Sequence, residues 1–413
     1  MNTPTLGEAR FNSTHSHTVS DEIRIPERIE IGAEPGLQFE LAGPRANLFF
    51  DGRQTRAGIV TCGGLCPGLN NVIRSLFLEL HYGYGVVDVI GFRGGYGGLD
   101  PKNGVEPVKM TCDFVDSIHQ KGGTILGSSR GPIDMGRAVE NLIARGVNIL
   151  FTVGGDGTQR GANDLYQEAR KRGHTLAVIG VPKTIDNDVG FVSRTFGFST
   201  AVEEAARVLD CAHTEARSVP GGIGLVKLMG RHAGFVTAAA TIANQDVNFA
   251  LIPEVPFQLE AFLAVLKQRM LTKSHTVIAV AEGAGQDLLT VDTSARDASG
   301  NLKLKDIGPF LREKIETFFK AEGIPVALRY FDPSYQVRSR PANSEDAILC
   351  DLFARHAVHA AMAGKTGVVI GLHHDRFIHV PIELLATQTK RLDPKGGWWR
   401  SVLAATGQPE RFA

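Results

Sequence analysis

The chain has 413 residues, which favours two domains over a single hydrophobic core. Lysine plus arginine and aspartate plus glutamate number 44 each, so the sequence lacks the basic excess of a general nucleic-acid or membrane-surface binder. The five cysteines show no paired CxxC spacing, no apolar run approaches the ~20 residues that span a bilayer, and the N-terminus has no signal-peptide pattern, so we expect a reduced cytoplasmic protein with no nucleic-acid or membrane partner.

In chain order, residues 1–56 are polar and dotted with prolines, and we interpret them as an extension that wraps the protein surface or a partner subunit. From Ala57, short β-branched runs alternate with amphipathic segments. The predicted strands are AGIVTC, VVDVIGF, VNILFTV, TLAVIGV, IGLVKLMG, NFALIP, TVIAVAEG and GVVIGL, with helices from about Leu69, through QRGANDLYQEARKRG and from His232. This alternation predicts an α/β protein with mostly parallel sheets covered by helices on both faces. The polar stretch 284–306 predicts a surface insertion.

Two glycine-rich turns follow predicted strands, GGLCPG at 63–68 and GGDGTQRG at 154–161. Glycine lets the backbone approach an anion closely, and a helix that starts just beyond directs N–H groups at phosphate. Neither turn is a GxGxxG or a Walker A loop. Asp156 makes the second turn more specific, because a carboxylate among phosphates requires a bridging divalent cation.

A third loop, ILGSSRGP at 125–132, carries Arg130 between small residues. Taken alone, Arg130 is equally well explained as a surface arginine. Beside two phosphate-type loops, we interpret Arg130 as a clamp on a transferring phosphoryl group.

The stretch LAVIGVPKTIDND at 176–188 places polar residues directly after an apolar run. The carboxyl end of a parallel strand is where such sheets bind ligands. Asp186 and Asp188 flank Asn187, and one of the two carboxylates can take the proton of a hydroxyl that attacks phosphorus. Lys183 and Thr184 are expected to contact phosphate oxygens. The alternative is a surface turn rich in Asn and Asp.

The motifs GGDGT, PKTIDND, KLMGRHAGF (227–235), IPE (252–254) and AEGA (281–284) occur together in this order. This combination resembles the 6-phosphofructokinase family, from about Ala57 to about His374. It is most similar to the longer ATP-dependent branch of plants, trypanosomatids and some bacteria, which is related to pyrophosphate-dependent enzymes. The resemblance implies an allosteric glycolytic kinase that phosphorylates the 1-hydroxyl of fructose 6-phosphate with ATP and Mg²⁺, as a homodimer or homotetramer.

The resemblance also implies a role for each matching residue. Asp186 is the base and acts with Thr184 and Arg231. The nucleotide contacts are Gly63, Arg130, Gly155, Asp156, Gly157 and Thr158, of which Asp156 also holds Mg²⁺. The sugar-phosphate contacts are Thr184, Ile185, Asp186, Met229, Gly230, Arg231, Glu282, Arg329, Tyr335 and Arg338, of which Arg329, Tyr335 and Arg338 grip the 6-phosphate.

The resemblance further implies two similar three-layer domains with mostly parallel sheets. The expected limits are an N-terminal extension (1–56), a nucleotide-binding domain (57–197), a sugar-phosphate-binding domain (198–340) and a C-terminal segment that packs on both domains (341–413). One departure concerns Gly222, where short bacterial members place an arginine. Lys227, on the same strand, is the candidate replacement.

The identity of the phosphoryl donor depends on Gly157 and Lys183. The pyrophosphate-dependent branch pairs GGDD with PKTIDND, and its extra aspartate fills the space of the α-phosphate. Here Gly157 leaves the space of the α-phosphate open, which favours ATP as the donor. Lys183 matches the pyrophosphate-dependent pattern, but a lysine alone does not exclude ATP. The alternative is a pyrophosphate-dependent fructose 6-phosphate 1-phosphotransferase. A non-catalytic nucleotide sensor is disfavoured because Asp156, Asp186 and Arg231 are all present, and an NAD kinase explains only the glycine turn.

Overall fold

The computed structural model describes residues 3–12, 28–30, 38–289, 303–385 and 389–413. The strands in these residues are β1 (Phe11–Asn12), β2 (Arg28–Glu30), β3 (Gln38–Leu41), β4 (Asn47–Leu48), β5 (Arg56–Thr61), β6 (Asp88–Phe92), β7 (Val108–Lys109), β8 (Ile149–Gly154), β9 (Ala177–Pro182), β10 (Gly222–Leu228), β11 (Phe249–Leu251), β12 (His275–Ala281), β13 (Ala327–Phe331), β14 (Val368–His373) and β15 (Arg376–Pro381).

The helices in the same residues are α1 (Leu69–Leu78), α2 (Cys112–Val115), α3 (Met135–Ala144), α4 (Asp156–Lys171), α5 (Phe198–Arg217), α6 (Phe235–Asn244), α7 (Leu259–Thr272), α8 (Ile307–Ala321), α9 (Gln336–Ser339), α10 (Ser344–Met362), α11 (Ile382–Leu385) and α12 (Gly397–Thr406). Within the described ranges, none of these helices combines the length and apolarity that a membrane span requires.

The chain divides into two compact units. Unit 1 comprises Met1–Thr184, Val189–Gly197 and Ser339–Thr389, and unit 2 comprises Ile185–Asp188, Phe198–Arg338 and Lys390–Ala413. The short loop 185–188 therefore belongs to unit 2, although the sequence around it belongs to unit 1. Residues after 338 are shared between the two units.

Unit 1 is built on a sheet whose described strands have the order β2-β3-β15-β14-β9-β8-β5-β6-β7. Its centre, β14-β9-β8-β5-β6, is parallel, as predicted from the alternation of strands and helices. Every residue of β8 and β9 is buried, which explains their unbroken apolar sequences. The edges add antiparallel pairs, so the sheet is mixed.

Part of the predicted N-terminal extension, residues 1–56, is built into unit 1. β3 pairs with β15 in the unit 1 sheet, and the side chains of Phe39, Phe49 and Phe50 are buried. Gln38–Leu41 are therefore a strand of this sheet, and β4 pairs with β1 in a separate two-stranded sheet. Residues 1–2, 13–27 and 31–37 of the extension lie outside the described residues, as does most of the predicted insertion at 284–306.

Unit 2 is built on a smaller sheet of described strands in the order β11-β12-β10-β13, in which all neighbours are parallel. Helix α5 buries Ala201, Ala205, Leu209 and Ala212, the three- and four-residue spacing of an amphipathic helix. The C-terminal residues complete the packing of unit 2. Leu392, Trp399 and Val402 pack with Ala238, Ala250 and Ile252, and Phe412 lies in the main core.

Candidate active site

In unit 1, the GGDGT turn becomes the start of a helix. Gly155 caps α4, and its carbonyl oxygen accepts hydrogen bonds from the N–H groups of Thr158 (2.8 Å) and Gln159 (3.0 Å). Asp156 and Gly157 are exposed in the first turn, where helix amides lack intrahelical partners. Among the described residues, a Cβ atom at Gly157 would have only Arg160 Nη2 within 4 Å, at 3.8 Å. The space beside Gly157 is therefore open.

Lys183 connects the first two glycine turns. Its side chain is buried, and its Nζ donates a hydrogen bond to the carbonyl oxygen of Gly64 at 2.7 Å. The Lys183 N–H donates to the carbonyl oxygen of Gly154 at 3.1 Å, and a Cβ atom on Gly63 would lie 3.6 Å from Nζ. The ammonium group thus lies against the backbone of the first glycine turn.

The third loop packs on the first. The N–H of Gly63 donates to the carbonyl oxygen of Ser129 at 3.3 Å, and Ser128 Oγ donates to the carbonyl oxygen of Gly63 at 2.6 Å. Gly63 has a φ of +83°, which favours glycine. Arg130 follows directly and is exposed. The structure therefore brings Arg130 to the same edge of the unit 1 sheet as Gly63.

Gln159 lies where the two strands that carry the GGDGT and PKTIDND motifs end, and the sequence alone did not single it out. Its buried side chain donates from Nε2 to the carbonyl oxygens of Gly154 (2.9 Å), the last residue of β8, and Val181 (3.4 Å), near the end of β9. A Cβ atom on Gly180 would lie 2.2 Å from Gln159 Oε1. The available signal was Gly180 itself, since a glycine inside an apolar strand often marks a close approach.

In unit 2, Asp186 is partly exposed while its Oδ1 is buried. Burial raises the pKa of Asp186 well above its ordinary value, and the negative charges of Asp188 and Glu282 raise it further. The backbone amide and the guanidinium of Arg231 oppose this rise. Asp186, Arg231 and Glu282, three of the residues predicted for the sugar phosphate, are thus close neighbours.

The ends of β10 and β12 hold this cluster together. The N–H of Glu282 donates to the carbonyl oxygen of Leu228 at 2.9 Å, and the N–H of Gly283 donates to that of Gly230 at 3.1 Å. A Cβ atom on Gly283 would lie 1.9 Å from the carbonyl oxygen of Arg231, so only glycine fits there. These bonds place Met229, Gly230, Arg231 and Glu282 together at the carboxyl ends of β10 and β12.

The predicted 6-phosphate residues are only partly gathered. The Arg338 guanidinium lies 4.7 Å from the centre of the Tyr335 ring, and Tyr335 is 76% exposed. Burial raises the pKa of Glu282, while the charges of Arg231, Lys227 and Arg338 oppose the rise, which places Arg338 near the cluster. Arg329 is exposed within β13, and its Nη1 lies 3.5 Å from the carbonyl oxygen of Leu328. Arg338 therefore lies near Glu282, whereas the described contacts of Arg329 do not place it there.

The departure at Gly222 has a steric reason. A Cβ atom there would lie 2.0 Å from the carbonyl oxygen of Ala216, so no side chain fits. Lys227 is buried, and its ammonium pairs with Asp306 (3.1 Å) and Asp332 (2.8 Å). Burial lowers the pKa of Lys227, but these two hydrogen-bonded carboxylates outweigh burial and raise it. Lys227 therefore serves unit 2 as a structural cation.

The comparisons with known proteins agree with one another. The family model described as Phosphofructokinase matches residues 56–361. The ATP-dependent 6-phosphofructokinase of Borreliella burgdorferi is 44% identical and covers 98% of this chain and 96% of that protein. That of Trypanosoma brucei brucei is 48% identical over 90% of this chain and 76% of that protein. ATP-dependent 6-phosphofructokinase 7 of Arabidopsis thaliana is 41% identical over 98% of this chain and 84% of that protein.

Solved structures show the same fold. The pyrophosphate-dependent phosphofructokinase of Marinobacter aquaeolei aligns with a TM-score of 0.71 at 22% identity and covers 85% of this chain and 91% of that one. At this identity the likeness concerns the fold alone.

Proposed function

The chain belongs to the phosphofructokinase family, and from this membership we propose that it phosphorylates fructose 6-phosphate at its 1-hydroxyl with ATP, giving fructose 1,6-bisphosphate and ADP. The observation that carries the proposal is the Asp186 carboxylate, whose pKa is raised and which lies beside Arg231 and Glu282. A base with a raised pKa accepts a hydroxyl proton more readily near neutral pH than an ordinary carboxylate.

The chain's own residues divide the chemistry between them. Asp186 takes the proton from the 1-hydroxyl while the oxygen of that hydroxyl attacks the terminal phosphorus of ATP. The bond between this phosphorus and the ADP oxygen breaks, and Arg231 offsets the negative charge on the phosphoryl group. On the donor side, the first-turn amides at Gly155 and Gly157 and the ammonium of Lys183 face phosphate oxygens. Thr184 precedes the loop that carries Asp186 and orients the acceptor.

Mg²⁺ fits this donor site through one carboxylate. No cluster of three or more metal-ligating side chains occurs in the part of the chain that the structure describes. Mg²⁺ is usually held by one or two carboxylates, waters and substrate phosphates, and Asp156 is an exposed carboxylate at the helix start. Asp156 would hold the ion, and the ion would offset the charge of the donor phosphates.

In this proposal, residues of unit 2 bind the acceptor, fructose 6-phosphate. Glu282 is suited to sugar hydroxyls, and Met229 and Gly230 shape the edge beside Arg231. Arg338 and Tyr335 would bind the 6-phosphate, because a guanidinium pairs with phosphate oxygens in a bidentate manner. The protein acts as a cytoplasmic homodimer or homotetramer in this proposal.

ATP is expected to be the donor. The relatives above that cover most of this chain are named ATP-dependent, and the space beside Gly157 is open. Initial rates with fructose 6-phosphate and Mg²⁺ should be faster with ATP than with pyrophosphate, and a chelator of Mg²⁺ should abolish them. The reverse donor preference would favour pyrophosphate-dependent transfer, to which Lys183 is suited.

Arg329 should act across a subunit interface. It is exposed on β13, outside the cluster that gathers Arg338, so we propose that it reaches the 6-phosphate of a neighbouring subunit. Mixing inactive Asp186→Asn with inactive Arg329→Ala protein should then restore part of the activity, because some sites in hybrid oligomers receive both intact residues. Each variant remixed with itself is the control. Sedimentation as an active monomer would exclude the idea.

A further inference from the structure

Lys390 holds the loop that carries the proposed base. Its Nζ donates a hydrogen bond to Asn187 Oδ1 at 3.0 Å, and its N–H donates to the carbonyl oxygen of Asp188 at 2.9 Å. Asn187 is buried and has a φ of +54°, in the left-handed region that asparagine adopts more readily than most residues other than glycine. Lys390 thus bonds to the side chain of Asn187 and to the backbone of Asp188, the two residues that follow Asp186.

The same segment is bonded to the loop that carries Arg231. Both carboxylate oxygens of Glu254 accept a hydrogen bond from the N–H of Gly234, at 3.0 and 3.1 Å. Glu254 Oε1 also accepts one from the N–H of Leu392 at 2.9 Å. Glu254 is the acid of the IPE motif, which the proposed chemistry leaves without a role. Residues 390–392 therefore contact the loop of Asp186 and, through Glu254, the loop of Arg231.

We propose that Lys390 is a positioning residue that fixes Asp186 through Asn187 and Asp188. This inference rests on the proposed function, since it assigns Lys390 to the orientation of the same base. The ammonium is half-buried and lies 5.2 Å from the centre of the Phe235 ring at the start of α6. Three carboxylates, Asp186, Asp188 and Glu282, crowd this region, and Lys390 brings a positive charge to it.

The charge of Lys390 is pH-sensitive in the working range. Burial lowers the pKa of Lys390 to about 8, while the charge of Asp188 opposes this shift. Asp188 also acts on Asp186 and on His232, and the charges of Arg231 and Arg391 act on His232 as well. Lys390 is protonated below pH 8 and loses its charge as the pH rises above 8, so we expect kcat to fall through that range.

Two substitutions test the role. Lys390→Met should lower kcat about 100-fold, because misplacing a reacting group has an effect of about that size. The KM for ATP should change little, because ATP is proposed to bind unit 1. Lys390→Arg keeps the charge at every working pH, so it should retain most of kcat at neutral pH and move the alkaline fall to higher pH. The matched control is Lys395→Met, an exposed lysine of the same segment, which should match the wild type.

A further variant covers the case in which Lys390→Met does not fold. Asn187→Gly keeps the left-handed backbone but removes the Oδ1 acceptor, and it should lower kcat with an unchanged KM for ATP. If folded Lys390→Met retains more than about half of kcat, or Lys390→Arg keeps the wild-type alkaline fall, Lys390 has no positioning role. A wild type that is inactive with ATP and fructose 6-phosphate would overturn the proposed function instead.

Discussion

Asp186→Asn is expected to lower kcat by ~10²–10⁴-fold, because proton removal by a positioned base contributes about that factor. Asparagine has nearly the shape of aspartate and cannot take the proton, so the affinity for fructose 6-phosphate should change little. The measurement is kcat and KM for each substrate at saturating ATP and Mg²⁺. Asp188→Asn, on the same loop, is the matched control and should lose much less. Retention of more than about a tenth of kcat by Asp186→Asn would exclude it as the base.

The same substitution should stabilise the protein at neutral pH. The folded structure raises the pKa of Asp186, so this carboxyl contributes stability below its unfolded pKa and loses it as the pH rises through the folded pKa. Above that range a buried charge faces Asp188 and Glu282, and asparagine removes it. Tm should therefore be higher for Asp186→Asn at neutral pH, and the difference should shrink in acid. An equal difference at all pH values would contradict this reasoning.

Gly157→Asp is expected to abolish the use of ATP. The new carboxylate would face the α-phosphate, and one like-charge contact at ~4 Å with an effective dielectric constant near 20 costs about 4 kcal/mol. This cost corresponds to roughly a thousandfold in affinity. The fold should survive, because Arg160 Nη2 is the one atom of the described chain within 4 Å of the new Cβ, and an acid in the first turn of α4 is favourable.

The measurement is kcat/KM for ATP and for pyrophosphate before and after the change. Gly157→Asn adds the same bulk without the charge, so the difference between the two variants isolates the electrostatic part. Weak pyrophosphate-dependent activity is expected in Gly157→Asp because Lys183 is present. Full ATP activity in that variant would refute the donor argument and leave the role of Asp186 untouched.

The sequence was informative where structure is local. The apolar runs around β8 and β9 predicted buried parallel strands, and the glycine turn predicted a helix start that the structure places at Asp156. The helix expected from His232 begins at Phe235, because Glu254 binds the N–H of Gly234 and ends the preceding loop there. The start of this helix depends on a contact between Gly234 and Glu254, two residues that are far apart in the sequence.

The rest of the site depends on contacts between distant residues. Glu254 and Lys390 act on loops far from them in the chain, and no local pattern in the sequence marks either contact. Arg329 and Arg338 resemble solvated surface cations, and only the family resemblance singled them out. β3 is short and mixed in composition, so its place in the sheet follows from pairing with β15.

The path of the chain through the unit 1 sheet sets an order of events during synthesis. β9 pairs with β14, which lies after the main part of unit 2 in the sequence. At ~5–20 residues per second, a ribosome leaves the apolar edge of β9 without β14 for on the order of ten to forty seconds. An unpaired apolar edge is a template for aggregation. We therefore expect nascent chains and fragments that stop before Val368 to aggregate more readily than the full chain. The last residues, 390–413, join unit 2 only after β14 has been made.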